Sequence, residues 1–226
     1  RSTLFPYTTL FRSLELVAEY MPAVSGFLID REVAYLGEAI DEPKRPLLAI
    51  MGGAKVGDKI ALIENLLKKV DTLIIGGGMS YTFLKAKGYE IGRSLLDIDS
   101  VHLAKSIMEK AKEKNVKFIL PVDIVCAKEF DNNAERGIYA ADDIPDDMMG
   151  MDMGPESVKL FEEPVKSAGT IVWNGPIGVF EMENFSKGTR AVAEMLAESK
   201  ALTVIGGGDS RSEEHTSELQ SLGAIS

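Results

Sequence analysis

Residues Leu47 to Lys59 read LLAIMGGAKVGDK, and this stretch decides the fold. Five apolar residues, Leu47 to Met51, suit a strand buried on both faces of a parallel sheet. Gly52 and Gly53 follow, and without Cβ atoms they let the backbone turn sharply and approach a ligand closely. From Val56 onward the apolar positions are Val56, Ile60, Ile63, Leu67 and Val70, the spacing of a helix with one buried face. A strand, a glycine turn and a helix start together present unpaired N–H groups and the positive end of the helix dipole to an anion. If the helix begins near Lys55, then Lys55 and Lys59 share one face of its first turn. Two cations there oppose the dipole unless an anion binds between them, and a phosphate chain meets that requirement.

The stretch does not match the common short phosphate motifs. A Walker A loop needs Gly-Lys-Ser/Thr after its second glycine, whereas Asp58 and Lys59 follow Gly57. The GxGxxG dinucleotide pattern is absent as well. Read alone, the segment fits either an anion site or a tight strand-to-helix turn carrying two solvated lysines.

Composition narrows the classes. The chain has 226 residues, 45% hydrophobic and 27% charged, the balance of an ordinary globular protein. Lys and Arg number 25 against 35 Asp and Glu, a net charge of −10. Such acidity argues against a broad nucleic-acid or anionic-membrane surface while leaving room for a local basic pocket. A single cysteine, Cys126, cannot form an internal disulfide and fits a reducing compartment. With His102 and His215 as the only histidines, a His-based nucleophilic triad or a Cys/His zinc site is close to excluded. No apolar run approaches the ~20 residues of a membrane span.

Both ends differ in character from the rest. Residues 1–13 (RSTLFPYTTLFRS) and the tail 211–226, which contains RSEEHTSELQS, resemble translated adapter DNA, so the expected native domain is 14–210. Within it, helices are expected over Leu14–Tyr20 and Phe27–Leu36, then the linker DEPKRP. Asp71 to Ile75 reads as a strand ending in Gly76, Gly77 and Gly78, with a helix from about Met79. A helix over Asp99–Lys114 carries Val101, Ala104, Ile107, Met108 and Ala111 on one face, with His102 beside it as a surface or packing residue. Lys117–Val122 reads as a third strand closed by Pro121 and Asp123. A polar excursion over Ala127–Met153 is expected to be loop, its Asp142, Asp143, Asp146 and Asp147 solvated and its methionines filling gaps in the core. Gly154-Pro155-Glu156-Ser157 opens a helix. Thr170–Trp173 is a fourth strand ending in Asn174-Gly175-Pro176, and a loop through Glu181 leads to a helix with Phe185, Thr189, Val192 and Leu196 inward. Leu202–Ile205 is a fifth strand ending in Gly206-Gly207-Gly208-Asp209-Ser210.

Strands that end in turn residues and are mostly separated by helices predict an α/β protein, a parallel, doubly wound sheet with helices on both faces. Ligands of such sheets bind beyond the carboxyl ends of the strands. The GGAK, GGGM, LPVD, NGP and GGGDS turns therefore point to a nucleotide cleft along one edge.

The ordered set GGAKVGDKI, IIGGGMSYTFLKAKG, LPVD, IVWNGPIGVFE and GGGDS resembles the carboxyl-terminal, nucleotide-binding half of phosphoglycerate kinase, a Rossmann-like domain, over nearly all of 14–210. The resemblance implies a cytoplasmic glycolytic phosphotransferase acting between 1,3-bisphosphoglycerate with ADP and 3-phosphoglycerate with ATP and Mg²⁺. It implies that Lys59 contacts the phosphates, with Gly207 and Gly208 beside the transferred group. Gly53, Ala54 and Lys55 would make neighbouring nucleotide contacts, and Gly76, Gly77, Gly78 and Leu120 would line the adenine slot. Asn174 would lie near the phosphates and Glu181 would hold the ribose hydroxyls. Gly207, Gly208, Asp209 and Ser210 would form the last phosphate turn, with Asp209 on Mg²⁺. Local readings compete: Glu181 as a helix cap or solvated residue, Asn174 as a turn former.

Two departures accompany the resemblance. The family's amino-terminal domain, which binds 3-phosphoglycerate, and everything after GGGDS have no counterpart here, so the chain is expected to be an incomplete copy, inactive alone. Its expected partners are nucleotide and, only with the amino-terminal domain, 3-phosphoglycerate. Neither nucleic acid nor membrane is expected, and the family is usually monomeric. A non-catalytic nucleotide-binding module is the chief alternative. A dinucleotide oxidoreductase would need an acidic residue where the second strand ends in Gly76-Gly77-Gly78.

Overall fold

A computed structural model describes residues 43–54 and 56–206. The two adapter-like ends, the helices expected over Leu14–Tyr20 and Phe27–Leu36, Lys55, and Gly207 to Ser210 lie outside the described residues.

The apolar run opening the key stretch forms β1 (Leu47–Met51), every residue of which is buried. Its alternate side chains serve two cores. Leu47, Ala49 and Met51 join one apolar cluster, and Leu48 and Ile50 join the other. That two-sided burial is why the strand reads as a continuous hydrophobic run rather than an alternation. A 3-10 turn at Gly57–Lys59 precedes helix α1 (Ile60–Leu66). Then follow β2 (Thr72–Ile75), α2 (Met79–Ala86), α3 (Val101–Glu113) and β3 (Lys117–Ile119). After a separate antiparallel unit come α4 (Pro155–Ser167), β7 (Thr170–Asn174), α5 (Lys187–Glu198) and β8 (Leu202–Gly206). The five-stranded sheet runs β3-β2-β1-β7-β8, and every pairing in it is parallel.

Helices cover both faces, as expected. Ile63 and Leu66 of α1, Phe83 of α2, and Ala104, Ile107 and Ala111 of α3 pack with Leu73 and Ile75 on one face. Phe161 and Val165 of α4 and Val192 and Leu196 of α5 pack with Ile74, Ile171 and Trp173 on the other. Of the inward set foreseen for α5, Thr189, Val192 and Leu196 are buried on that helix, whereas Phe185, buried as well, ends the preceding 3-10 turn Glu183–Phe185. His102 is exposed, as are the four aspartates Asp142, Asp143, Asp146 and Asp147.

The polar excursion is where the structure departs from expectation. Its residues belong to a second, antiparallel sheet ordered β5-β4-β6, made of β4 (Asp123–Ala127), β5 (Arg136–Ala140) and β6 (Met149–Met153). The third parallel strand also ends earlier than expected, at Ile119, because Pro121 cannot donate to a ladder. Asp123, read as a strand terminator, begins β4 instead. The edge strand β5 has no buried residue, and β6, although Met149, Met151 and Met153 alternate with Gly150 and Asp152, contains no β-branched or aromatic residue. Both are held by pairing to β4.

This sheet supplies two helix caps. Gly154 at the start of α4 has no capping side chain, and Asp123 of β4 accepts from the N–H groups of Glu156 at 3.0 Å and Ser157 at 2.7 Å. At the start of α5, Ser186 makes no capping bond, and Asp152 of β6 accepts from Gly188 N at 2.7 Å. Each side chain accepts from the first turn of a helix it does not belong to, a contribution of about 1 kcal/mol apiece.

Candidate functional site

The chain runs from β1 outward through β2 to β3, then crosses to β7 and β8 on the opposite side of β1. The switch point therefore lies between the carboxyl ends of β1 and β7, where a crevice opens in sheets of this type. Two glycine-rich turns and the NGP turn meet there, backbone on backbone. Gly52 N donates to Asn174 O at 2.8 Å, Gly53 N to Pro176 O at 2.9 Å, and Met79 N to Gly53 O at 2.8 Å. A Cβ on Gly52 would sit 2.1 Å from Pro176 O, and one on Gly77 would sit 2.6 Å from the same oxygen. Only glycine permits this approach, so the glycines first close the turns onto one another.

Lys59 occupies the switch point. Its Nζ donates to Gly52 O at 2.8 Å and to Asn174 Oδ1 at 2.7 Å, with Asn174 O at 3.4 Å. A half-buried ammonium is thus fixed between the ends of β1 and β7. Its backbone setting differs from the expectation of a helical first turn beginning near Lys55. Val56 to Lys59 form a 3-10 turn, Lys59 has φ −117° and ψ 3°, and α1 starts only at Ile60. Gly57 explains the delay. Glycine resists helix by roughly 1 kcal/mol, and Gly57 N is instead held by the Asp97 carboxylate at 3.0 Å. The late start lets Lys59 reach back over the turn rather than lie along the helix.

Several of the expected site residues assemble. Gly53 and Ala54 abut Gly77 and Gly78: a Cβ on Gly78 would be 3.2 Å from Ala54 Cα, and one on Gly77 2.7 Å from Gly53 N. Gly76 faces the Ile177 side chain just beyond the NGP turn. Asn174 binds Lys59 directly. Register pairs Asn174 with Gly206, so the last residue of β8 lies beside the start of the NGP turn. Glu181 stands on the exposed turn after β7, whose base is tied to the antiparallel sheet by Val179 N donating to Met151 O at 2.9 Å. Leu120, at the end of β3, is half-buried and packs against both the main core and the cluster beneath the antiparallel sheet.

Sequence reasoning missed Asp152, which is 1% exposed. Burial pushes its carboxyl up to about 7, opposed by the hydrogen bonds from Gly188 and Met153. The signal was present in Met149-Gly150-Met151-Asp152-Met153, a lone acid alternating with apolar residues. Its consequence is measurable. In the folded chain Asp152 keeps a proton that the unfolded chain releases near pH 4, so its contribution is fully present below that pH. The contribution is lost as pH rises through about 7. Unfolding free energy is expected to fall between pH 5 and 7 by up to about 1.4 kcal/mol per unit, and Asp152→Asn is expected to flatten that slope. Parallel urea titrations of both proteins check this; identical slopes would refute it. Cys126 is buried with its thiol pushed up to about 12, the state of an inert packing residue.

A model of the phosphoglycerate kinase family matches residues 10–222. The chain belongs to that family. The phosphoglycerate kinase of Finegoldia magna is 51% identical over 196 residues, which are 87% of this chain and 50% of the relative. That of Clostridium tetani is 57% identical over 188 residues, covering 83% of this chain and 47% of the relative. The structure of phosphoglycerate kinase from Coxiella burnetii superposes with a TM-score of 0.82 at 45% identity, covering 85% of this chain and 50% of that one. The chain spans about half the length of the curated relatives it matches. In this member of the phosphoglycerate kinase family, the glycine turns and Lys59 lie at the switch point of the parallel sheet.

Proposed function

We propose that this chain forms the nucleotide wall of a phosphoglycerate kinase, binding ADP or ATP with Mg²⁺ at the switch point. The reaction served is transfer of the acyl phosphate of 1,3-bisphosphoglycerate to ADP, giving 3-phosphoglycerate and ATP, a cytoplasmic step of glycolysis. The observation that carries the reading is the Lys59 ammonium held between β1 and β7 by Gly52 O and Asn174.

Phosphoryl transfer asks a protein chiefly for positioning and for stabilisation of charge on the moving group. Lys59 supplies a positive charge whose rotamer is already fixed, so little entropy is lost when phosphate arrives. In this proposal Gly53, Ala54 and Lys55 extend the contact along the phosphates. Gly76, Gly77, Gly78 and Leu120 receive the adenine, and Glu181 takes the ribose hydroxyls. Asn174 acts through Lys59, and Gly207, Gly208, Asp209 and Ser210 complete the phosphate turn with Asp209 on Mg²⁺. A bound Mg²⁺ would neutralise charge on the phosphate oxygens. The family's amino-terminal domain is proposed to bring 3-phosphoglycerate, since the two substrates must be closed into line for transfer.

A thermal-shift titration of the 226-residue chain with Mg-ADP tests the binding reading. Saturable stabilisation is expected, reaching about 2.7 kcal/mol at a hundredfold excess over Kd. Absence of any shift would refute nucleotide binding. A coupled NADH assay on the same sample is expected to show no turnover, and a rate like that of an intact kinase would overturn that expectation.

A further inference from the structure

We propose that the cavity between the antiparallel sheet and helices α4 and α5 binds a small amphipathic anion, an apolar body bearing one carboxylate, with Arg136 and Lys187 as its charge partners. The cavity holds about 720 Å³, within the roughly 300–1,000 Å³ of small-molecule sites. It is separate from the switch point: none of Gly53, Ala54, Lys59, Gly76, Gly77, Gly78 or Asn174 lines it. The inference does not rest on nucleotide binding.

The walls set the ligand's body. Val125 and Ile138 from the sheet, Met153 from the end of β6, and Val158 from α4 give the cavity an apolar lining. Ile138 is 58% exposed, a large apolar side chain left in contact with water. A bare inorganic anion would leave these walls wet, whereas an apolar body would cover them.

The charges set its head. Three other ionisable groups at the cavity already have partners. Lys159 binds Glu156 at 2.7 Å, Glu162 binds Lys166 at 2.8 Å, and Asp152 is turned toward Gly188 N at 2.7 Å. Arg136 on the sheet edge and Lys187 at the start of α5 remain, and among the described residues neither has an ion-pair partner. In a chain of net charge −10, two uncompensated cations in one cavity are a local reversal of sign. A guanidinium takes a carboxylate through two parallel hydrogen bonds, and an ammonium adds a point charge.

A carbon-13 methyl NMR titration of the full chain tests this with three matched probes: 4-phenylbutyrate, 4-phenylbutanol and 4-phenylbutylamine. Saturable shifts at the Val125, Ile138, Met153 and Val158 methyls are expected with the carboxylate, and much weaker ones with the alcohol and amine. The double variant Arg136→Glu/Lys187→Glu is expected to weaken 4-phenylbutyrate at least about tenfold, and Arg136→Lys/Lys187→Arg to retain it. Both variants are expected to keep the wild-type Mg-ADP midpoint, which separates loss of this site from loss of the nucleotide site or of the fold. The proposal is overturned if millimolar 4-phenylbutyrate produces no saturable shift, if the three probes bind alike, or if charge reversal leaves binding unchanged.

Discussion

Replacing Gly52 with alanine is expected to cost about 4 kcal/mol of unfolding free energy, a large part of the roughly 5–15 kcal/mol available to a domain. The new methyl would lie 2.1 Å from Pro176 O and 2.5 Å from Gly175 O. Both are backbone atoms, so no side-chain rotation relieves the overlap. Pro176 O is itself held by Gly53 N at 2.9 Å, and Gly52 N by Asn174 O at 2.8 Å. Separating the turns would forfeit these bonds at about 1 kcal/mol each, beyond the 1–3 kcal/mol typical of overpacking. Urea denaturation reads the effect as a fall in midpoint at constant slope. Gly88→Ala is the control: Gly88 has φ +92° but no atom within 4 Å of the added carbon, so about 1 kcal/mol of backbone strain is expected. Equal losses in the two variants would show that the turns are not packed against one another as described.

Lys59→Met is expected to weaken Mg-ADP binding by about 10- to 100-fold, the equivalent of one charge-assisted contact of about 1.5–3 kcal/mol. The methionine keeps the unbranched stem up to the ε position and removes the ammonium that Gly52 O and Asn174 Oδ1 hold in place. Lys59→Arg preserves charge, but a planar guanidinium does not fit the same three oxygens, so an intermediate loss is expected. Calorimetric titration decides it. Wild-type affinity in Lys59→Met would remove this lysine from the phosphate site and with it the observation on which the proposed function stands. Folding of each variant is confirmed beforehand by its urea midpoint.

The two experiments bear on different layers of the same place. Gly52 tests whether the turns interlock; Lys59 tests what the interlocked turns hold. Neither residue substitutes for the other, because one contributes only space and the other only charge.

Much of this architecture follows from local pattern. The run Leu47–Met51, with apolar side chains toward both faces, can be satisfied only in the middle of a covered parallel sheet. The glycines after β1 and β2 and the NGP turn after β7 fixed where the strands stop, and the helical spacings fixed which faces are buried. Those features depend on residues close in sequence, so a single chain displays them. The order of the turns was equally legible, and it carried the family.

Tertiary structure decided the rest, because it depends on partners far apart in the chain. The strands β5 and β6 are both held by pairing with β4, a partner that no local window reveals. Asp123 and Asp152 cap helices through first-turn N–H groups 33 and 36 residues away, so neither capping motif appears in any local window. Lys59 was visible as a lysine near a glycine turn, but its contact with Asn174 spans 115 residues and arises only when β1 and β7 lie side by side. Sequence periodicity determines which surfaces must be buried; it does not determine which distant group each buried polar atom will find, since that is settled only when the layers pack.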